Sequence, residues 1–177
     1  FDTTSRIPAE KFSYALNQRL PEDIVIQSSK QVADDFHPRH CDCRKTYEYD
    51  ILNRTFPLPA YRNTAYFLYG TLNIEAMRRA CQAFLGEHDF ASFCAAGAQV
   101  QTTVRTIYSL EVECRPLTEA NAGSADQLLT IRVKGNGFLY NMVRIIAGTL
   151  VEVGRGHIKP EEVAGIIAVK DRAKAGP

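Results

Sequence analysis

No window of roughly 18 residues in this chain is apolar without interruption by charged or turn residues, which excludes a helical membrane span. An excess of one charge is also missing. The 21 lysines and arginines stand against 20 aspartates and glutamates, a net of +1, so composition alone does not announce a nucleic-acid binder. A disulfide framework is excluded too. The five cysteines (Cys41, Cys43, Cys81, Cys94 and Cys114) are odd in number and irregular in spacing, and with no export signal they read as reduced cytosolic thiols. Phe1-Asp2-Thr3-Thr4-Ser5-Arg6 is no signal peptide and lacks a methionine, so the chain reads as beginning within a longer sequence. Neither a short-period repeat nor a low-complexity tract occurs. His37, His40, Cys41 and Cys43 raise the question of zinc. The tight C-x-C spacing, with no second ligand pair at a zinc-finger distance, argues against it, and no metal is expected.

What is present is a globular composition, 177 residues with 45% hydrophobic content, enough for one large domain or parts of two. Charge is clustered locally in His37–Lys45, where Arg39, Arg44 and Lys45 face only Asp42. By itself this is a solvated basic loop.

The most informative segment is 135–156. A Gly135-Asn136-Gly137 turn leads into a helical run whose apolar residues (Leu139, Met142, Val143, Ile145, Ile146, Leu150, Val151) cover most of the circumference. Such a helix is expected to be buried. The exception is a stripe at i+4 spacing, formed by Tyr140, Arg144, Gly148 and Glu152. Arg144 has no carboxylate at i±4, and an unpaired guanidinium in an interior is costly. It is therefore either a snorkelling arginine at a helix edge or a charge poised for a carboxylate or phosphate from elsewhere.

Periodicity organises the remainder. Residues 8–20 predict an amphipathic helix, with Phe12, Ala15, Leu16 and Leu20 on one face, and Ile24-Val25-Ile26 begins a short strand. A strand is expected over 46–51, a long connection over 54–72, and a helix opening at the N-cap Asn73 and stopped by Gly86. Residues 107–114 alternate, with Tyr108, Leu110, Val112 and Cys114 on one face; residues 128–134 alternate likewise. A last helix starts near Pro160. From residue 46 the order is β-α-β-β-α plus an extra helix, a split βαβ (ferredoxin-like) unit without its final strand. The predicted fold class is α+β.

Four segments then carry a resemblance. They are Phe36-His37-x-Arg39 running to Lys45-Thr46-Tyr47-x-Tyr49; Gly86-Glu87-His88-Asp89-Phe90-x-Ser92-Phe93; Gly135-Asn136-x-Phe138-Leu139-x-x-Met142-Val143-Arg144-x-Ile146-x-Gly148-Thr149-Leu150; and Asp171-Arg172-x-x-Ala175-Gly176-Pro177. Any one alone is weak; in this order, spanning nearly the whole chain, they are specific. The chain resembles the bacterial tRNA pseudouridine synthases of the A type, which isomerise uridine to pseudouridine in the anticodon stem-loop.

The resemblance implies two ferredoxin-like (RRM-like) halves sharing one extended mixed or antiparallel sheet, with helices on one face and a cleft between the halves. On that reading residues 1–45 are the end of the first half plus the basic loop, and 46–177 are the second half lacking its last strand. It implies a cytoplasmic homodimer that holds tRNA and uses no cofactor and no metal. Arg144 matches the arginine that orients the nucleophilic aspartate, and Tyr47 the tyrosine that packs on the target base. Phe138 and Leu139 are expected to line that pocket. Arg39, Arg44, Lys45, Arg105 and Lys134 are candidates for phosphate contacts. His88 and Asp89 are expected to be structural.

One departure matters. The family's nucleophile lies in a Gly-Arg-Thr-Asp-x-Gly-Val-His segment, and none occurs in residues 1–177. The expectation is thus a fragment, inactive alone, whose Arg144 faces an open cleft rather than a local carboxylate such as Glu152. The alternatives are a non-catalytic RNA-binding module of the same fold, or an unrelated ferredoxin-like interaction domain.

Overall fold

The structure is a computed structural model that describes residues 1–38, 43–117 and 126–177. It divides into two compact units, Phe1–Asp42 and Cys43–Pro177.

In the first unit a 3-10 turn at Ala9–Lys11 runs into α1 (Phe12–Asn17). The expected helix over 8–20 is therefore shorter, and Ala15 and Leu16 of its apolar face are exposed. A helix this short has little stability without a face to pack against. Ile24-Val25-Ile26 does not form the expected strand; Ile24 is 52% and Val25 60% exposed. In place of a ladder, the Asn17 side chain donates to Ile26 O at 2.9 Å and accepts from Ile26 N at 2.8 Å.

The second unit is built on one mixed five-stranded sheet. Its strands are β1 (Lys45–Asn53), β2 (Tyr66–Leu68), β3 (Gly86–Asp89), β4 (Val104–Pro116) and β5 (Gln127–Gly135), in the order β2-β1-β5-β4-β3. β5 pairs antiparallel with both β1 and β4, placing the third strand of the βαββ unit beside the first, as a split βαβ requires. The helices are α2 (Ile74–Cys81), α3 (Met142–Gly154) and α4 (Val163–Val169). The architecture is α+β.

Two strands were not expected. β2 adds parallel to the outer edge of β1, in the stretch read as a connection, and β3 adds antiparallel to β4. Both are too short to show a period. Asn73 caps α2 as expected, accepting from Ala76 N at 3.0 Å. Gly86, with φ +93°, opens β3 rather than ending the helix, which already finishes in a 3-10 turn at Gln82–Phe84.

One face of the sheet carries the core: Ile51, Leu110, Val112, Leu129, Ile131 and Val133 cluster with Met77, Phe84, Met142, Ile146 and Leu150 from helices and turns. The other face is polar, with Arg132 bridging Glu48 (2.7 Å) and Glu113 (2.5 Å) across three strands. A bulge between Ile107 and Ser109 corrects the expected alternation of β4. It inserts one extra residue, so Ile107 joins Leu110 and Val112 inside while Tyr108 is exposed. Cys114, expected on that inner face, is exposed as well.

Candidate active site

The site grows from the turn after β5. Asn136 clips this turn to β4: its N–H donates to Thr106 O at 3.1 Å and its side-chain oxygen accepts from Thr106 N at 3.0 Å. The approach leaves no room for a side chain at Gly135, where a Cβ would lie 2.8 Å from Thr106 O and 3.3 Å from the Phe138 ring. Phe138 is thereby set edge-on to Tyr47, with ring centroids 5.2 Å apart and planes at 88°. Tyr47 keeps half its surface open. An aromatic held from one side and free on the other is a stacking platform. Leu139 lies elsewhere, in the core at 4% exposure.

Asn141, in the left-handed region at φ 57°, turns the chain into α3. Nine of the thirteen residues of α3 are buried, so the expectation of a buried helix holds apart from one stripe and Val143, which is half-buried. Tyr140 and Arg144 are exposed, while Gly148 and Glu152 are half-buried. Arg144 thus stands in solvent and enters no salt bridge among the described residues. Glu152 is engaged elsewhere, with His157 Nδ1 at 2.6 Å and Arg155 Nη1 at 2.9 Å. The His157 hydrogen bond, aided by Arg155, holds the Glu152 carboxyl below its ordinary range.

Four more cations share this end of the sheet, because β1 begins where β5 ends and β4 begins. Arg44 lies over the Tyr108 ring at 4.9 Å, the residue that the bulge turned outward. Lys45 opens β1 opposite Gly135, and Lys134 stands in register with Thr46 and Ser109. Arg105 donates to the carbonyls of Thr102 (2.9 Å) and Val104 (2.6 Å) and packs beside Gly137. None of the four forms a salt bridge among the described residues, whereas Arg54, Arg78, Arg132, Arg155 and Lys170 all do. Unneutralised cations at converging strand ends favour an anion such as a phosphate backbone. Arg39, expected to join them, lies outside the described residues, as do His40 and Cys41 of the zinc question.

The remaining motifs meet in support. Asp89 accepts from Lys170 Nζ at 2.7 Å and from Thr103 Oγ1 at 2.5 Å, which keeps its carboxyl below the usual range. His88 Nε2 bonds the Leu85 carbonyl at 2.8 Å, and Ser92 Oγ donates to Ile166 O at 2.6 Å. Asp171 caps the turn Arg172–Lys174, and Arg172 donates to the Gly176 carbonyl at 2.9 Å. The Ala175-Gly176-Pro177 backbone then lies on α3 at Gly148 and Thr149. Sequence reading missed this packing, although a Gly-Thr pair on a helix and a small-residue tail were both visible.

Residues 80–177 match the tRNA pseudouridine synthase family, and the chain belongs to that family. More particularly, it is 47% identical over 176 residues to tRNA pseudouridine synthase A of Thermoanaerobacter sp. (strain X514), an alignment covering 99% of this chain and 68% of the relative. It is 48% identical to tRNA pseudouridine synthase A 2 of Clostridium perfringens (strain 13 / Type A), with the same coverage. To tRNA pseudouridine synthase A of Bacillus subtilis (strain 168) it is 45% identical, covering 99% of the chain and 67% of the relative.

Proposed function

We propose that residues 1–177 supply the arginine side of an active site that isomerises uridine to pseudouridine in the anticodon stem-loop of tRNA. The observation that carries this reading is Arg144. It is an exposed, unpaired guanidinium at the start of α3, at the same end of the sheet as the Tyr47–Phe138 pair and four further cations. The reaction breaks the C1′–N1 bond, turns the uracil, and joins C1′ to C5. N1 gains a proton, and the proton on C5 is lost. A carboxylate that starts this must be ionised and aimed, and a charge-assisted hydrogen bond from a guanidinium does both. That carboxylate comes from a Gly-Arg-Thr-Asp segment outside these residues, so a polypeptide of residues 1–177 alone is inactive. Tyr47 packs on the uracil after the nucleotide leaves its stack, with Phe138 behind it and Leu139 supporting from the core. Arg44, Lys45, Arg105 and Lys134, with Arg39, hold phosphates. The family resemblance supports a cytoplasmic homodimer as the working unit and a reaction that needs no cofactor and no metal.

The experiment is a chimera in which this chain replaces the matched segment of the Bacillus subtilis relative, assayed by tritium release from C5-labelled tRNA. Turnover supports the isomerase; tight tRNA binding without release supports the inert RNA-binding module instead.

A further inference from the structure

The connection before and through β2 forms a second surface that the catalytic reading does not use. Between Asp50 and Glu75 the chain has no acidic residue, yet it holds Arg54, Arg62 and the aromatics Phe56, Tyr61, Tyr66, Phe67 and Tyr69. Phe56 is 71%, Tyr66 55% and Tyr69 70% exposed, which is unusual for rings of this size. A groove of about 580 Å³ opens here, lined by Leu52, Tyr66 and Phe67 of the strands and by Pro59, Tyr61 and Arg62 of the connection. That volume lies within the range that accepts a small-molecule-sized group. Pro57 and Pro59 stiffen one side of it, and β2 fixes the other by pairing with β1 at Ile51–Asn53. Arg62 is exposed and forms no salt bridge among the described residues, so the groove presents flat apolar surface and a free positive charge together.

We infer that this groove is a second RNA-binding site, which takes one unpaired nucleotide of the substrate, its base against Tyr66 and its phosphate on Arg62. The inference rests on the proposal that this chain acts on tRNA. Charge decides the choice of occupant. No lining residue of the groove is acidic, Arg54 beside it is already neutralised by Asp126, and Arg62 is left as a single cation next to flat aromatic surface, a pairing that suits a nucleotide, which brings a phosphate wherever its base docks. β1 connects the two sites: Lys45 stands at the catalytic end and Asn53 beside the groove, so the sites lie about 25 Å apart at the usual strand rise. An RNA that engages both is held at two points, which fixes its register on the protein.

The test is ultraviolet cross-linking of the 177-residue chain to an unmodified tRNA transcript, followed by trypsin and mass spectrometry. Nucleotide adducts are expected on peptides 55–62 and 63–78, in addition to peptide 135–144 at the catalytic end and peptide 46–54, which runs from Tyr47 to the groove. Tyr66→Ala is expected to weaken transcript binding about 5- to 150-fold, the range for losing one stacked base. Arg62→Ala is expected to reduce the salt dependence of binding. Adducts confined to 46–54 and 135–144, with binding unchanged by Tyr66→Ala, overturn the second site and leave the proposed function standing. Absence of both binding and adducts overturns the two together. If Tyr66→Ala instead abolishes a concentration-dependent self-association and no adduct forms on 55–78, the groove is a protein interface and the inference fails.

Discussion

Thr149 holds Gly176: its hydroxyl oxygen accepts from the Gly176 N–H at 2.9 Å while donating to the Ile145 carbonyl at 2.8 Å. Thr149 is wholly buried, and Gly176 fits so closely that a Cβ would lie 2.5 Å from Thr149 N. Little more than one helical turn earlier on the same helix stands Arg144. The tail therefore seats against the helix that carries the candidate catalytic arginine.

That relationship sets the first prediction. Thr149→Val keeps the shape but leaves the buried Gly176 N–H without a partner, at a cost of about 1–3 kcal/mol. Gly148→Ala places a methyl on the Pro177 carbonyl and displaces the tail, costing about 1–3 kcal/mol by overpacking. Urea denaturation should show both losses, with Thr149→Ser recovering most of the first.

Acid sensitivity follows from Glu152 and Asp89. Glu152 is held low first by the His157 hydrogen bond and then by Arg155, and Asp89 first by Lys170 and then by Thr103. A carboxyl whose folded pKa lies below its unfolded value stabilises the fold at higher pH, and this contribution fades as pH falls through the folded value. Stability should therefore decline as pH drops below about 4.5, the ordinary glutamate value. Glu152→Gln should flatten part of that decline in a series of thermal melts.

Cysteine reactivity should divide by burial. Cys81 is 2% exposed, and desolvation pushes its thiol up to about 12. The Cys114 thiol is raised too, but it stands at the surface. A maleimide at pH 8 should label Cys114 in the native protein and reach Cys81 only after denaturant is added. Native labelling of Cys81 would mean that the core between α2 and the sheet opens readily.

Much of this fold was legible because burial writes a period into sequence. β1, β5, α2 and α3 pack one face on the core, and each shows its alternation or helical stripe. What failed was local or non-periodic. The bulge at Tyr108 moves one residue across the sheet without changing the pattern around it, and β2 and β3 borrow their strand character from longer neighbours. Ile24-Val25-Ile26 has strand composition but forms no ladder. At the candidate site, Arg144 was legible as a charge without a local partner. Its exposure was expected as well, because the resemblance places its carboxylate outside residues 1–177, and the side chain is found exposed.

The cation cluster predicts a salt effect. Arg44→Ala and Lys134→Ala should each weaken tRNA binding across sequences and lower the slope of log affinity against log salt by about 0.7–0.9 for every phosphate no longer neutralised. Arg132→Ala serves as the control, since Glu48 and Glu113 already neutralise that guanidinium and hold it above its ordinary pKa. Filter binding over a salt series provides the measurement.

The central claim is that Arg144 is one half of an ion pair whose carboxylate lies outside residues 1–177. The most direct measurement is single-turnover tritium release from C5-labelled tRNA by the Bacillus subtilis chimera, with Arg144 intact and with Arg144→Ala, beside the 177-residue chain alone. The account predicts release by the intact chimera, a loss of at least about 100-fold with Arg144→Ala at unchanged tRNA affinity, and no release by the chain alone. Undiminished release with Arg144→Ala, or turnover by residues 1–177 alone, would contradict it.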